Sequence, residues 1–256
     1  MAEIELHPGT PYCDVATLNR IARQQGLCLA IAQGCIYDEI CQAVPFPEEV
    51  VTALTRAYLE LQELDPDDEE ACAALLRSKG WTQEDLRYYA SKGERIGRFQ
   101  QQVFSDEVER HFLSRKLAHD QVVYSLIRVS DGNLAFELHQ RLLEGEADFT
   151  TLASRYSEGS ERSSGGRYGP VPFNQAHATV VEKLRGCQEG ELLEPFFLED
   201  IWVILRLDHW EGARLDAAMR ETLLDELFEQ WLERRVDQLL AGQTPDPLPL
   251  HLLERL

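Results

Sequence analysis

The sequence predicts an α+β protein with an all-helical N-terminal domain, a small antiparallel sheet flanked by helices, and a C-terminal helix that completes the helical domain. Apolar residues recur at helical spacing through most of the first 120 residues. Strand character follows in the β-branched run Val122–Val129 and in the pair Leu192–Leu198 and Trp202–Leu207. Helical spacing returns in Leu215–Leu240. This order places a sheet domain inside a discontinuous helical domain.

The charge of the chain restricts the class of partner. Its 45 acidic and 25 basic residues give a formal net charge of −20, with an ordinary hydrophobic content of 44%. Nucleic-acid backbones and anionic membranes would be repelled by this charge. The longest apolar segment, Leu27–Ile36, is too short to cross a bilayer. We therefore expect no nucleic-acid partner and no membrane insertion. A merely soluble acidic protein and a protein selected to bind a basic client both fit the charge.

Cysteine usage and the amino terminus predict a compartment. The six cysteines form no C-x-x-C pair and no spacing typical of a zinc site, so we predict no metal and no cofactor. The first fourteen residues contain no basic stretch followed by an apolar run, and no secretory signal is visible there. A reducing, cytoplasmic location is the expectation.

The N-terminal domain is predicted as a series of helices separated by Gly, Pro and acidic turns. Residues 1–10 are expected to form an unanchored tail. Thr82 followed by Asp85 matches the pattern of a capping box, in which each residue bonds the backbone N–H of the other. The predicted helices cover residues 17–25, 27–44, 50–64, 69–78, a long stretch from 82 to about 104, and 106–117.

The C-terminal segment is predicted to be one amphipathic helix and a tail. The periodic apolar face of Leu215–Leu240 cannot remain solvated, so we expect this helix to pack on the N-terminal helices. Gly242–Leu256 contains three prolines and several leucines. We interpret it as a surface arm that is able to serve as a docking segment.

Three short sequence motifs in the middle of the chain are similar to those of a known family. They are GEADFTTLASRYSE (Gly145–Glu158), the G-G-x-x-G turn Gly165–Gly169, and GELLEP (Gly190–Pro195). In this order they resemble the parvulin (rotamase, PpiC-type) prolyl isomerase domain. The words GWTQEDLRYYA and FSDEVERHFLSRK, within residues 75–120, are similar to the N-terminal helices of SurA-type chaperones. The predicted domains are 1–120 (helical, SurA-like), 121–210 (parvulin-like), and 211–256 (C-terminal helix and tail).

The resemblance implies where catalytic groups would lie, and the polar positions carry other residues. Parvulins place a histidine on the first strand, a Cys or Asp after the Y-S word, and a second histidine on the last strand. The first of these positions falls on Ser125 and the second on Gly159. The third falls on or next to Trp202. The resemblance therefore predicts a degenerate catalytic set, with no catalytic residue assigned.

The proline-binding floor is also reduced. The Met and Phe of the parvulin floor fall on Ala176 and Val180, and Tyr168 lies near the expected mouth. The predicted substrate-binding residues are Ser125, Gly159, Tyr168, Ala176, Val180 and Trp202. Two other chemistries are rejected: the seven histidines show no Ser/His/Asp spacing, and no Lys-Ser/Thr follows Gly165–Gly166 as in a phosphate loop.

The sequence leaves three functions open. Our preferred hypothesis is a parvulin-family chaperone or maturation factor with little or no isomerase activity, binding a client polypeptide in a cleft between the helical and rotamase domains. The alternatives are an active peptidyl-prolyl cis-trans isomerase with a rebuilt pocket, and an adaptor for one stable protein partner. Family membership does not decide among them, because function depends on the site.

Overall fold

The computed structural model describes residues 3–253, and its helices and strands follow the predicted order. Short 3-10 turns at Ser105–Glu107, Ser160–Ser164 and Phe173–Gln175 join them. In chain order the elements are β1 (Glu3–His7), β2 (Thr10–Asp14), α1 (Val15–Gln24), α2 (Cys28–Ala43), α3 (Glu48–Leu61), α4 (Glu69–Lys79), α5 (Gln83–Phe104), α6 (Val108–His119), β3 (Gln121–Val129), α7 (Gly132–Leu143), α8 (Phe149–Tyr156), β4 (Arg167–Pro172), α9 (Ala178–Leu184), β5 (Phe196–Leu198), β6 (Ile201–Glu211), α10 (Ala217–Leu240) and α11 (Leu250–Leu253).

The chain forms two compact units. One contains the described residues up to Val108 and those from Arg220 onward; the other is Glu109–Met219. We call the first the helical unit and the second, after the resemblance noted in its sequence, the rotamase unit. The predicted boundaries near 120 and 210 fall inside the rotamase unit. The reason is Asp120, a buried carboxylate that accepts hydrogen bonds from Lys116 at 2.7 Å and from the backbone N–H of Ala213 at 2.7 Å.

The N-terminal residues correct one prediction. Residues 3–10, expected as a tail, belong to an antiparallel hairpin in which β1 pairs with β2. The reversal uses Gly9 in the left-handed region, at φ +75°, where a side chain would be disfavoured. Its N–H donates to the Glu5 carboxylate at 2.7 Å. The helical unit is therefore not purely helical, and the alternation Glu-Ile-Glu-Leu was the signal of a strand.

The helices of the helical unit pack around an aromatic cluster. The ring of Phe99, on α5, lies 6.2 Å from that of Phe104, 6.3 Å from that of Phe228 and 5.1 Å from that of Trp231. Because Phe228 and Trp231 belong to α10, the C-terminal helix completes this core, as predicted. The capping box at Thr82 and Asp85 is also confirmed.

The tail is packed against the helical unit, which corrects the prediction of a surface arm. Arg235, buried on α10, donates to the Asp246 carbonyl and forms an ion pair with Glu39 at 2.6 Å. Leu248 is buried, and α11 contacts α5. The last three residues of the predicted arm, 254–256, lie outside the described residues.

The rotamase unit is built on a four-stranded antiparallel sheet in the order β4-β3-β6-β5. Strand β4 occupies part of the region that the sequence indicated as a Gly-rich turn. The predicted strand at 192–198 is shorter than expected: it is regular only over β5, with one bridge from Leu192 to Arg206. The central strand β3 is almost wholly buried, because helices or turns cover both faces of the sheet.

Candidate functional site

Alternation along β3 and β6 divides the sheet into two faces. Tyr124, Leu126 and Val203 pack with Val180 of α9, and we call this side the α9 face. The other side packs against α7 and α8, and we call it the α7–α8 face; its buried sheet residues are Ile127, Val129 and Ile204. Because side chains of a strand point alternately to opposite faces, each predicted site residue belongs to one side or the other.

Three of the six predicted residues come together on the α9 face. Val180 is buried in the cluster formed by this face, and Ala176 and Tyr168 pack against it half-buried. The ring of Tyr168 stacks on that of Tyr124 with centroids 5.4 Å apart and an interplanar angle of 9°. The two tyrosines are direct partners in the β3–β4 pairing. The three predicted residues therefore lie together in and around the core of this face, with a tyrosine pair at one edge.

Ser125 is not part of that surface. Its flanking residues Tyr124 and Leu126 face α9, so its side chain points to the α7–α8 face. There its Oγ donates a hydrogen bond to Asp208 at 2.6 Å, and Asp208 also accepts from Arg206 at 2.7 Å. The Arg206 guanidinium lies 4.9 Å from the ring centre of Phe149, on α8. This polar group, in which Ser125 is buried and Arg206 and Asp208 are half-buried, joins β3, β6 and α8.

Trp202 also lies on the α7–α8 face. Its ring contacts those of Phe136 and Phe197. The neighbours of Trp202 in sequence, Ile201 and Val203, are the residues that face α9. The two positions at which the resemblance implies histidines, Ser125 and Trp202, thus both place their side chains on the side of the sheet away from α9.

Gly159 lies where a side chain has no room. A Cβ at this position would collide with the Arg128 guanidinium and the Glu161 carboxylate. Its backbone, with φ −96°, is one that any residue adopts, so packing is the constraint. Neither Cys nor Asp, the residues that the resemblance implies here, fits unless Arg128 or Glu161 moves.

An ion pair fills that space instead. Glu161 is 2% exposed and accepts hydrogen bonds from Arg128 Nε at 3.0 Å, from Arg128 Nη2, and from Ser157 Oγ at 2.5 Å. The Tyr168 hydroxyl donates to it at 3.4 Å. We call Arg128, Ser157, Glu161 and Tyr168 the Glu161 cluster. It ties the loop after α8 to strand β3 beside the tyrosine pair.

The electrostatics of the Glu161 cluster favour the charged form. Burial by itself raises the pKa of Glu161, but hydrogen bonds from Arg128 and Ser157 outweigh it and hold that pKa below its ordinary value. The same pairing raises the pKa of Arg128. A carboxylate that stays ionised and is engaged at both oxygens is a poor proton donor near neutral pH. We therefore assign Glu161 a structural role.

Sequence reasoning missed this cluster. Arg128 and Glu161 are 33 residues apart, and no spacing rule connects them. The one local signal was a charged residue, Arg128, in an otherwise apolar strand whose neighbours are buried. A charge in such a place is expected to have a partner.

Cavities occur in both units. In the helical unit a groove of about 440 Å³ lies between α2, α3 and α5 and is lined by residues including Phe46, Arg87 and Arg95. In the rotamase unit a cavity of about 380 Å³ lies on the α7–α8 face beside Phe149 and Arg206.

Within residues 3–253, no helix is both long and apolar enough to span a bilayer. The described part of the chain also has no group of three or more His, Cys, Asp and Glu side chains arranged to hold a metal ion.

Comparison with known families identifies the sheet-containing segment. Residues 128–209 match the family model described as Rotamase, the PPIC-type PPIASE domain. Chaperone SurA from Nitrosococcus oceani is 28% identical over 154 residues, which are 56% of this chain and 34% of the relative. The chain thus spans about a third of the length of this curated relative.

Solved structures with a similar chain order are also found. The peptidylprolyl isomerase PrsA from Bacillus cereus matches with a TM-score of 0.48 and 17% identity, covering 96% of this chain and 93% of the other. PrsA from Bacillus anthracis matches with a TM-score of 0.39 and 18% identity, covering 86% and 99%.

Proposed function

Residues 128–209 form a parvulin-type rotamase domain that follows SurA-like helices, and from this premise we propose that the protein is a chaperone or maturation factor that binds client polypeptides and has little or no prolyl isomerase activity. The relative from Nitrosococcus oceani is named a chaperone, which supports the first part. The second part depends on one observation: Gly159, at the position where parvulins carry Cys or Asp, is enclosed by the Arg128–Glu161 ion pair.

The barrier to rotation about the X–Pro peptide bond determines what a prolyl isomerase has to supply. Rotation about a peptide bond costs ~20 kcal/mol, and no bond is broken that a nucleophile or metal has to attack. A catalyst lowers this barrier by binding the twisted state better than the planar one, chiefly through donors aimed at the reacting amide. The α9 face offers the apolar side chains of Val180, Ala176 and Leu126, which have no donors. Of its two tyrosines, Tyr168 already donates its hydroxyl hydrogen to Glu161, and that carboxylate is paired with Arg128.

The test of the catalytic part is direct. A protease-coupled assay on Ala-Pro and Leu-Pro peptides measures the isomerisation rate of the full chain. We expect a rate near that of the uncatalysed peptide. A rate within about tenfold of an ordinary parvulin would refute this part of the proposal, because that difference is only ~1.4 kcal/mol of barrier.

An active isomerase with a rebuilt pocket is the second candidate function. The observation in its favour is the hydroxyl of Tyr168, a hydrogen-bond donor on a ring that packs against the cluster of the α9 face. In that case Tyr168→Phe would abolish a measurable isomerase rate without changing the fold. If the wild-type rate equals the uncatalysed rate, this candidate is eliminated.

Client binding is tested separately from catalysis. Light scattering of a thermally aggregating model protein, with and without the purified chain, measures chaperone activity. A pull-down from lysate distinguishes a spectrum of bound chains from one stoichiometric partner. The first outcome supports a chaperone; the second, with aggregation unaffected, supports the adaptor. For client contacts we retain Tyr168, Ala176 and Val180 as proposed residues, with Gly159 beside them.

The cytoplasmic location also remains a proposal. All six cysteines are free thiols in the structure, which is compatible with a reducing compartment, but the relatives give this location no support. Fractionation of cells, followed by thiol labelling of the protein without added reductant, tests it. Full labelling in the cytosolic fraction is the expected result, and recovery outside the cytosol would overturn it. Exclusion of nucleic acid and of membrane insertion stays a proposal drawn from the charge.

A further inference from the structure

Three aromatic rings form a continuous surface on the α7–α8 face of the rotamase unit. Trp202, on β6, lies 5.6 Å from Phe136 of α7 and 5.5 Å from Phe197 of β5, measured between ring centres. Both contacts are edge-to-face, with interplanar angles of 61° and 60°. This is the geometry that aromatic quadrupoles favour. We call Phe136, Phe197 and Trp202 the aromatic patch.

The outer rings of the patch are open to solvent. Phe136 is 47% exposed and Phe197 is 56% exposed, while Trp202 between them is half-buried. Trp202 packs against the buried cluster of this face, and its indole lies so close to the backbone of Gly132 that a Cβ there would come within 2.9 Å of the ring. A fixed indole flanked by two exposed phenyl rings is a preformed apolar surface. Binding to such a surface requires little ordering of the protein.

The rim of the patch is acidic. The two segments that carry the rings, 131–137 and 196–202, contain Asp131, Glu137, Glu199 and Asp200 and no Lys or Arg. All four carboxylates are exposed. Glu199 and Asp200 form the tight turn between β5 and β6, where Leu198 pairs with Ile201. Basic side chains lie beside two of them: His177 lies 3.6 Å from Glu199, and Arg141 lies 3.9 Å from Glu137.

These two features together select a partner. Exposed aromatic rings attract apolar side chains and, through their faces, Lys and Arg cations. An acidic rim favours positively charged partners and repels acidic ones. A second copy of this chain would bring the same carboxylates against one another, in a protein of net charge −20. The combination favours a basic segment that also contains apolar or aromatic residues.

We propose that the aromatic patch is a docking surface for basic, apolar segments of client polypeptides, on the face of the sheet opposite to α9. This proposal rests on the client-binding function and extends it: it adds a second surface of contact to the proposed one on the α9 face, and it names the chemistry of the segment that is bound there. The segment would place apolar side chains against Phe136 and Phe197 and a cation near Trp202 and the acidic turn.

The experiment uses the full chain and a fluorescent peptide that alternates Phe with Lys and Arg. Two control peptides replace the basic residues by Glu or the Phe residues by Ser. The test variant is Phe136→Ser with Phe197→Ser, since both rings are largely outside the core. The matched control is Leu113→Ser, which removes an apolar side chain that is 74% exposed on α6 of the same unit. Circular dichroism checks that each variant is folded.

Measured by fluorescence anisotropy, the Kd of the basic aromatic peptide should rise about tenfold or more in the double variant and stay unchanged in L113S. The variant Glu199→Lys with Asp200→Lys should weaken binding and flatten its dependence on salt. Both control peptides should bind more weakly to the wild type than the basic aromatic peptide does.

The outcomes separate the two proposals. If the wild-type chain binds the peptide and the folded double variant binds it equally well, the patch assignment is wrong and the client-binding function survives. If the wild type binds no peptide and does not slow client aggregation, both fail. Equal losses in L113S and in the double variant overturn the assignment. So does a change of molecular mass in the double variant, which would assign the patch to self-association.

Discussion

On its α9 face the central sheet presents Tyr124, Leu126 and Val203 to a small helix; on its α7–α8 face the same strands carry Ser125, Arg206 and Trp202. The first face is where the family resemblance implies proline binding, and the carboxylate beside its tyrosine pair, Glu161, is neutralised by Arg128. The second face holds exposed aromatic rings with exposed acidic neighbours. The two faces of one small sheet therefore differ in chemistry: the face that the resemblance marks for proline binding is mostly apolar, and the opposite face carries the aromatic patch.

The largest expected effect on the stability of the rotamase unit comes from removing the Glu161 cluster, which lies beside the α9 face. In Glu161→Ala the Arg128 guanidinium loses its partner inside the unit. Loss of one member of a buried pair costs ~3–5 kcal/mol, and because the Arg128 side chain is 35% exposed we expect the lower end of that range. Native-state hydrogen exchange of the β3 and β6 amides measures this free energy of opening in the rotamase unit alone.

A matched double variant controls that measurement. Arg128→Met combined with Glu161→Gln removes both charges and keeps similar volumes, so it should be more stable than Glu161→Ala. If Glu161→Ala exchanges as slowly as the wild type, the cluster does not hold the loop to β3. The ion pair beside the α9 face would then not distinguish the two faces energetically.

A side chain at Gly159 sharpens the same comparison. Gly159→Cys restores a residue that the family uses, but its Cβ collides with Arg128 and Glu161. We expect a loss of about 1–3 kcal/mol in the same hydrogen-exchange measurement, as for other overpacked sites, and no gain of isomerase rate. Adding Arg128→Ala should lower the stability further, because it opens space but leaves the buried Glu161 carboxylate without its ion-pair partner. A Gly159→Cys variant that is stable and catalyses isomerisation would show that only one residue separates this chain from an active enzyme.

The pH dependence of the rotamase unit should reveal Glu161. Its pKa is lower in the folded chain than its ordinary value of 4.5. The stabilisation is therefore fully present above about pH 4.5 and is lost as pH falls through the lower, folded-state pKa. Hydrogen exchange or urea unfolding at a series of pH values below 5 measures it. Glu161→Gln should lack this part of the decline; a parallel decline in the variant would assign it to other carboxylates.

The smallest expected effect is at Tyr168. Tyr168→Phe keeps the stack on Tyr124 and removes only the 3.4 Å hydrogen bond to Glu161. That bond is long, so we expect a change within about 0.5 kcal/mol in the free energy of unfolding of the rotamase unit. A larger loss would mean that the hydroxyl is an integral member of the cluster, and a loss of isomerase rate would favour the active-enzyme alternative.

Much of the fold was predictable because its signals are local. The α+β class, the C-terminal helix that completes the helical unit and the capping box at Thr82 are confirmed, and each follows from periodicity or from residues three or four apart. The hairpin at residues 3–14 was missed because its strands are short. The packed tail was missed because its anchor, Arg235, lies on another element.

The candidate site was less predictable. Tyr168, Ala176 and Val180 come together on the α9 face, while Ser125 and Trp202 turn to the other side. Alignment to the short motifs of the family fixes the position of a residue to within about one place. In a strand, a shift of one place moves the side chain to the other side of the sheet. A bulge between Val123 and Tyr124 adds to this difficulty. The Arg128–Glu161 pair belongs to no sequence motif, so alignment could not predict it.

The amino-acid sequence by itself determined the order of the elements, the acidic character of the chain and its relation to the rotamase domain, because propensity, capping and sequence words depend on neighbouring residues. Only the tertiary structure decided which side of the sheet each side chain takes, which charge neutralises Glu161, and that Phe136, Phe197 and Trp202 meet. Those contacts join residues that are tens of positions apart. Their free energy comes from burial and pairing, which exist only when the chain has folded.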